Sequence, residues 1–167
     1  MASQKQLDLL SAGKKRWETW RRESPDVQAL EPDLHEADLH GVDLHGVDLR
    51  RADLGEANLQ ETNLQEANLQ EADLRNANLQ GANLSRANLL QANLKWADLR
   101  GAILQRTNLK GADLSKADLS GADLGGAILG KANFDEANLS RVDLSGMNLS
   151  NVDLRGSIRT ERDPNRR

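Results

Sequence analysis

The sequence predicts an all-β solenoid: a quadrilateral β-helix, four short edges to each coil, with an N-terminal α-helical cap. Three observations carry this. Leucine recurs every five residues from Leu34 to Leu154, 25 consecutive slots broken only by Phe134. Two residues before each leucine stands a small residue, usually Ala, with Pro32, Val42, Val47, Thr62, Thr107, Val142, Met147 and Val152 as the exceptions. Between them the residue is Asp 12 times and Asn 11 times, Ile103 and Ile128 being the departures.

A period of five suits neither regular element. On a helix at about 100° per residue the leucines would spiral round the cylinder instead of forming a stripe. In one long strand successive leucines would face opposite sides. The pattern works if the chain bends once per repeat. Ala and Leu, two apart, then point inward together as on a short strand. Asp, Asn, Ser and Gly, residues that turns favour, take the corners. Four edges make a coil of 20 residues, and stacked coils pair at a spacing of about 4.8 Å. The mean hydropathy of -0.67 and the 29% of charged residues would fit a disordered chain, but an unbroken apolar period argues for a packed interior.

The unit Ala57-Asn58-Leu59-Gln60-Glu61 resembles the A(D/N)LXX motif of the pentapeptide-repeat family. The resemblance runs from residue 32 to about 156 and implies a right-handed winding. The Trp-x-x-Trp-Arg stretch at Trp17–Arg21 is similar to the leader of some cyanobacterial members. Three parts are therefore expected: a helical cap over 1–31, the β-helix over 32–156 and a polar tail over 157–167.

The ends follow from the same logic. A solenoid leaves its terminal coils unpaired and needs caps. Residues 4–23 read as helix, divided at Gly13 and ended by Ser24-Pro25, since a residue before proline is pushed out of the helical region. Leu7, Leu10, Trp17 and Trp20 fall near one face and are expected over the open end of the leucine ladder. At the other end Val142, Met147 and Val152 enlarge the small slot. They are read as volume closing the terminal coils, with a dimer face as the alternative. The family's apolar C-terminal helix is missing, so a monomer is expected over an end-to-end dimer.

Little in the sequence suggests catalysis. Cysteine is absent, so there is no disulfide framework and no thiolate site. His35, His40 and His45 look like a metal triad, but a 20-residue coil sends them to three different walls, whereas ligands must converge on one ion. Asp33, Asp53 and Asp73 stack on one wall; because Asn fills the same slot as often, they are read as bonding backbone at the turns. No phosphate, dinucleotide or hydrolase motif occurs. No enzyme, cofactor or metal site is expected. Lys14, Lys15, Arg16, Arg21 and Arg22 interrupt any apolar leader, and no stretch approaches the length of a membrane span, so a cytoplasmic protein without membrane contact is expected.

Charge is polarised round the coil. The wall of Leu34, Leu54 and Leu74 carries 9 acids and 4 bases, while that of Leu49 carries 2 acids and 4 bases. The resemblance implies one specific role, DNA mimicry against a type II topoisomerase such as gyrase. Six coils rise about 30 Å, matching about 17 charges of duplex at one per 1.7 Å, well above what the acidic wall offers. No wall is basic enough for direct DNA binding. The outward exceptions Trp96 and Leu90, read as lying on adjacent walls beside a shared corner, suggest instead a protein-binding patch. A non-enzymatic interaction or scaffold module with a protein partner is the first expectation, and topoisomerase inhibition or protection by DNA mimicry the alternative.

Overall fold

The computed structural model describes residues 2–24 and 27–159. Helices α1 (Gln4–Ser11), α2 (Lys14–Glu23) and α3 (Val27–Leu30) precede the repeats. Gly13 breaks the first from the second with φ 96°, a left-handed conformation that glycine adopts without a Cβ clash. Ser24 leaves the helical region (φ -75°, ψ 127°), as expected before a proline. Pro25 and residues 160–167 of the expected tail lie outside the described residues.

From residue 32 onward the chain pairs with itself at an offset of 20. Asp33 bridges Asp53, Asp53 bridges Asp73, and the parallel series continues to Asp118 and Asn138. Each bridge is made of backbone bonds such as Leu34 N to Asp53 O (2.8 Å) and Asp53 N to Pro32 O (2.8 Å). The expected edges are shorter than strands. Among the described residues regular strand is confined to β1 (Asn138–Leu139) and β2 (Ile158–Arg159), which pair in parallel. Elsewhere a corner stands on each side of a three-residue wall: the central residue bonds the preceding coil with both its N–H and its carbonyl, and the two residues flanking it bond the following coil, as Ala52 O and Leu54 N do with Asp73. The pairing also runs past residue 156, into the segment expected as tail.

Every corner is the same turn. The residue after it donates back to the leucine before it, as in Ala37 N to Leu34 O (3.0 Å), and its second residue has φ between 56° and 71°. That is the type II signature, which favours glycine. Yet 16 of the 25 corners carry another residue there, many of them Glu or Arg. The Asp or Asn of each wall stabilises the turn by accepting the first corner N–H, for example His35 N to Asp33 Oδ1 (3.2 Å) and Gly55 N to Asp53 Oδ1 (2.9 Å). At several levels the side chains of facing Asn and Asp add a ladder across coils, as in Asn88 Nδ2 to Asn68 Oδ1 (3.1 Å) and Asn108 Nδ2 to Asn88 Oδ1 (3.0 Å). Asp33, Asp53 and Asp73 thus serve the turns, as their interchangeability with Asn suggested. Asn88→Ala removes these two side-chain bonds and the one from Leu90 N (3.2 Å). It should lower stability by about 2 kcal/mol, each bond having a modest net value; urea denaturation would show it, and a loss near zero would make the ladder incidental.

The interior is the expected stack. Leu34, Leu54 and Leu74 are wholly buried, as are Leu94 and Leu114 above them, with Ala52, Ala57 and Ala67 between walls. Thr62 and Thr107 fit the alanine slot because each hydroxyl donates to a carbonyl in the coil below, Leu39 O and Leu84 O, both at 2.7 Å.

The cap closes the first coil. Trp17 is fully buried, its ring 4.9 Å from that of Trp20, and its Nε1 donates to Asp48 O at 2.7 Å. Arg21 donates to Asp48 Oδ1 (3.4 Å), Arg50 O (3.0 Å) and Leu30 O (3.3 Å). Ser3 N continues the ladder onto Asp33 O (3.2 Å). The far end behaves otherwise. Asn133 still bridges Asp153 and β1 still pairs with β2, but among the described residues no bridge joins Asp123 to Asp143 or Ile128 to Asn148. The last coil parts from its neighbour on those two walls, around a cavity of about 560 Å³ lined by residues such as Gly125, Arg141 and Met147. Val142 is nonetheless buried there, and Met147 and Val152 pack against the core, so all three supply volume to the terminal coils. Val142 and Met147 are larger than Ala122 and Ala127 one coil earlier.

Candidate functional site

The outward exceptions to the repeat are the places to look for function, because the repeat explains every other position. Trp96 is the second residue of the corner after Leu94, with φ 64°. Its N donates to Ser115 O at 3.1 Å, which fixes the backbone, and the ring is 55% exposed. Directly above in the same corner stack, Lys116 Nζ lies 4.7 Å from the ring centroid, a cation–π contact. Lys116 in turn meets Glu136 Oε2 at 3.8 Å one coil further on. Trp96 is thus held on a rigid backbone under a cation, with more than half its surface in solvent.

Leu90 does not share that corner. It is the first residue of the preceding corner, and its carbonyl accepts from Glu71 N at 2.9 Å. Leu90 and Trp96 flank opposite ends of the same wall, that of Leu94. Leu90 is only half-exposed, and its N is bound to Asn88 Oδ1. The sequence placed them closer because it does not say that each corner consumes both polar residues. Ile103 and Ile128 are also exposed but stand on two other walls.

Of the residues expected in the cap, Leu10, Trp17 and Trp20 are buried and Leu7 packs against them at the edge of the core. The sequence reading missed Arg21 and Asp48, which pin the cap to the first coil. It also missed Gln6, fully buried with both amide atoms unpartnered. Nothing in a polar residue on an amphipathic helix signals such burial.

The acidic wall is less negative than its carboxylates suggest. Arg75 folds back onto Asp73 (Nε at 2.8 Å from both carboxylate oxygens) and Arg155 onto Asp153 (Nη2 to Oδ2 2.6 Å). Burial pushes the Asp73 carboxyl upward, but hydrogen bonds from Arg75 outweigh it and hold the group below its ordinary value. The Arg155 side chain lowers Asp153 in the same way.

The histidines separate as expected. His35, His40 and His45 occupy three successive corners, each N bound to the Asp two residues earlier. A second cavity of about 610 Å³ lies on the cap, lined by Leu9, Lys15, Arg16, Thr19, Trp20, Glu23 and Ser24. No histidine lines either this cavity or the one at the parted coil. Among the described residues no helix is long and apolar enough to cross a membrane.

Comparison with known proteins agrees with this geometry. The pentapeptide-repeat model matches residues 33–55, 52–91, 92–130 and 117–156, in eight copies. Among solved structures, the chain is 36% identical to HetL, a pentapeptide repeat protein involved in heterocyst differentiation regulation from the cyanobacterium Nostoc sp. strain PCC 7120, with a TM-score of 0.69. The match covers 94% of this chain and 65% of HetL, so the chain spans just under two thirds of that protein's length. The pentapeptide repeat protein Rfr23 from the cyanobacterium Cyanothece 51142 is 28% identical over 92% of this chain and 97% of that one, with a TM-score of 0.40. QnrB1, a plasmid-mediated fluoroquinolone resistance protein, is 22% identical over 77% of this chain and 79% of that one, with a TM-score of 0.38. No relative is found among curated proteins. By its repeats, its coil and the family model that matches them, the chain belongs to the pentapeptide-repeat family.

Proposed function

We propose that this protein is a non-enzymatic interaction module of the cytoplasm, a monomer that binds a protein partner through the wall of Leu94 with Trp96 as its anchor. The right-handed winding of the family belongs to the same reading. The exposed Trp96 ring under Lys116 carries it. Left-handed backbone alone does not mark the position, since 15 other residues besides glycine share it. What sets Trp96 apart is a large aromatic surface, preorganised and turned outward, where the neighbouring coils of the same corner place Asn76 and Lys116. Tryptophan is the residue most often found as the energetic centre of an interface. The likeness to HetL adds a regulatory adaptor as the form such a role takes.

DNA mimicry of a topoisomerase substrate has less support. Arg75 and Arg155 neutralise part of the acidic wall from within, and Lys95 and Lys116 stand on it as well. A duplex mimic needs an unbroken run of uncompensated charge.

Trp96→Ala should leave the melting temperature within about 2 °C of the wild type, because the side chain is exposed and its corner prefers a smaller residue. It should weaken partner binding by about 2 kcal/mol, roughly 30-fold. Affinity capture from a lysate of the source organism with both proteins is the test. A partner retained equally by wild type and variant would exclude the Trp96 wall, and a topoisomerase among such partners would restore the mimicry reading.

A further inference from the structure

Histidine 35 does not join His40 and His45, but the coil brings it to a different set of ligands. Glu36 is its neighbour at the same corner, and Glu56 stands above Glu36 one coil on. A ligand atom from each of His35, Glu36 and Glu56 lies within 4.8 Å of the other two. His35 Nε2 and Glu36 Oε1 are 3.9 Å apart. Ligands of a tetrahedral ion at about 2.0–2.1 Å stand about 3.3 Å from one another. Both glutamates are exposed and His35 is a third exposed, so closing the remaining gap takes only side-chain rotation.

Proximity of surface carboxylates is common, and two further features distinguish this cluster. The first is the far side of the imidazole. His35 Nδ1 lies 3.4 Å from Asp53 Oδ1, and Asp53 is itself anchored by Gly55 N at 2.9 Å. A proton on Nδ1 donated to that carboxylate leaves the Nε2 lone pair, on the side of Glu36, free to bind an ion. This carboxylate–histidine arrangement is how metal-bound imidazoles are usually oriented.

The second is Gly55. Its φ is not left-handed, so the turn does not require glycine. The corresponding slots further along this corner hold Arg75, Lys95, Ser115, Asp135 and Arg155. A Cβ at residue 55 would stand 2.8 Å from His35 Nδ1 and 3.1 Å from its Cε1. The missing side chain is the space the imidazole occupies. A side chain at residue 55 would displace the ring from its place against Asp53, where Nε2 lies near Glu36.

We propose that His35, Glu36 and Glu56 form a binding site for a divalent transition-metal ion of the zinc class, with Asp53 as a positioning residue. One imidazole and two carboxylates leave a fourth position for water. The imidazole favours zinc-class ions over calcium and magnesium, which prefer all-oxygen sets. A bound ion would tie the first coil to the second and offset the stacked charges of Glu36 and Glu56.

Calorimetric titration of the full chain with Zn²⁺ at neutral pH is the test. One equivalent is expected to bind, with at least tenfold loss of affinity in His35→Ala and in Glu56→Gln. The double variant His40→Ala/His45→Ala should bind as the wild type does. Asp53→Asn keeps the turn bond but weakens orientation, and should cost about tenfold. Should a variant fold poorly, NMR of the wild-type His35 imidazole reads the site directly, since Zn²⁺ should shift Nε2 and not Nδ1. No Zn²⁺ binding, binding unchanged in His35→Ala, or Ca²⁺ binding as tightly as Zn²⁺ would each overturn the proposal.

Discussion

Trp17→Ala should lower the free energy of unfolding by about 4 kcal/mol, the cost expected for a fully buried tryptophan. Three losses coincide there. The ring is wholly buried on the first coil, Trp20 loses its partner at 4.9 Å, and Asp48 O loses a 2.7 Å hydrogen bond. Because Arg21 also reaches Asp48 and Arg50, a loosened α2 withdraws a second set of bonds from the same coil. Urea denaturation followed by circular dichroism measures the effect, and Trp17→Phe should recover more than half of it by restoring apolar volume without the donor. A loss below about 1 kcal/mol would mean that the helices are an accessory and the repeats need no cap at this end.

Leu89→Ala should cost about 3 kcal/mol, within the range for buried leucines. Leu89 is wholly buried between the leucines of the coils before and after it, Leu69 and Leu109. The walls are held by hydrogen bonds at fixed spacing, so they cannot collapse into the space left, and the cavity contribution is retained in full. Leu154→Ala, on a half-exposed residue of the last coil, should cost less than about 1 kcal/mol. Equal losses at the two sites would contradict a closed centre and an open end.

Most of the fold was legible because one period carries it. Five-residue spacing demands a bend per repeat, Ala and Leu two apart must share a side, and Asp or Asn between them must serve the turn. The structure has all three. What the pattern hid is local. Nothing in Glu61 or Arg106 announces a left-handed backbone; the coil imposes it, and the residue accepts strain of about 1–2 kcal/mol for the closure of the turn. Leu90 and Trp96 were placed at one corner because sequence shows their separation but not which residues a corner uses. His35 found Glu56 and Asp53 only through the stacking of coils, 21 and 18 residues away in sequence. The parting of the last coil was the hardest to foresee, since Val142, Met147 and Val152 read as volume that closes the terminal coils.

That parting gives the molecule a direction. A chain whose turns bind only the turns beside them loses order from whichever end holds least tightly. One end is clasped by tryptophan and arginine, while at the other two of four edges are already separated. Thermal opening therefore begins near Asp143 and travels toward the cap as a zipper opens from its free end, so amide protons should be lost to solvent in a gradient along the rod, the coils nearest Trp17 exchanging last.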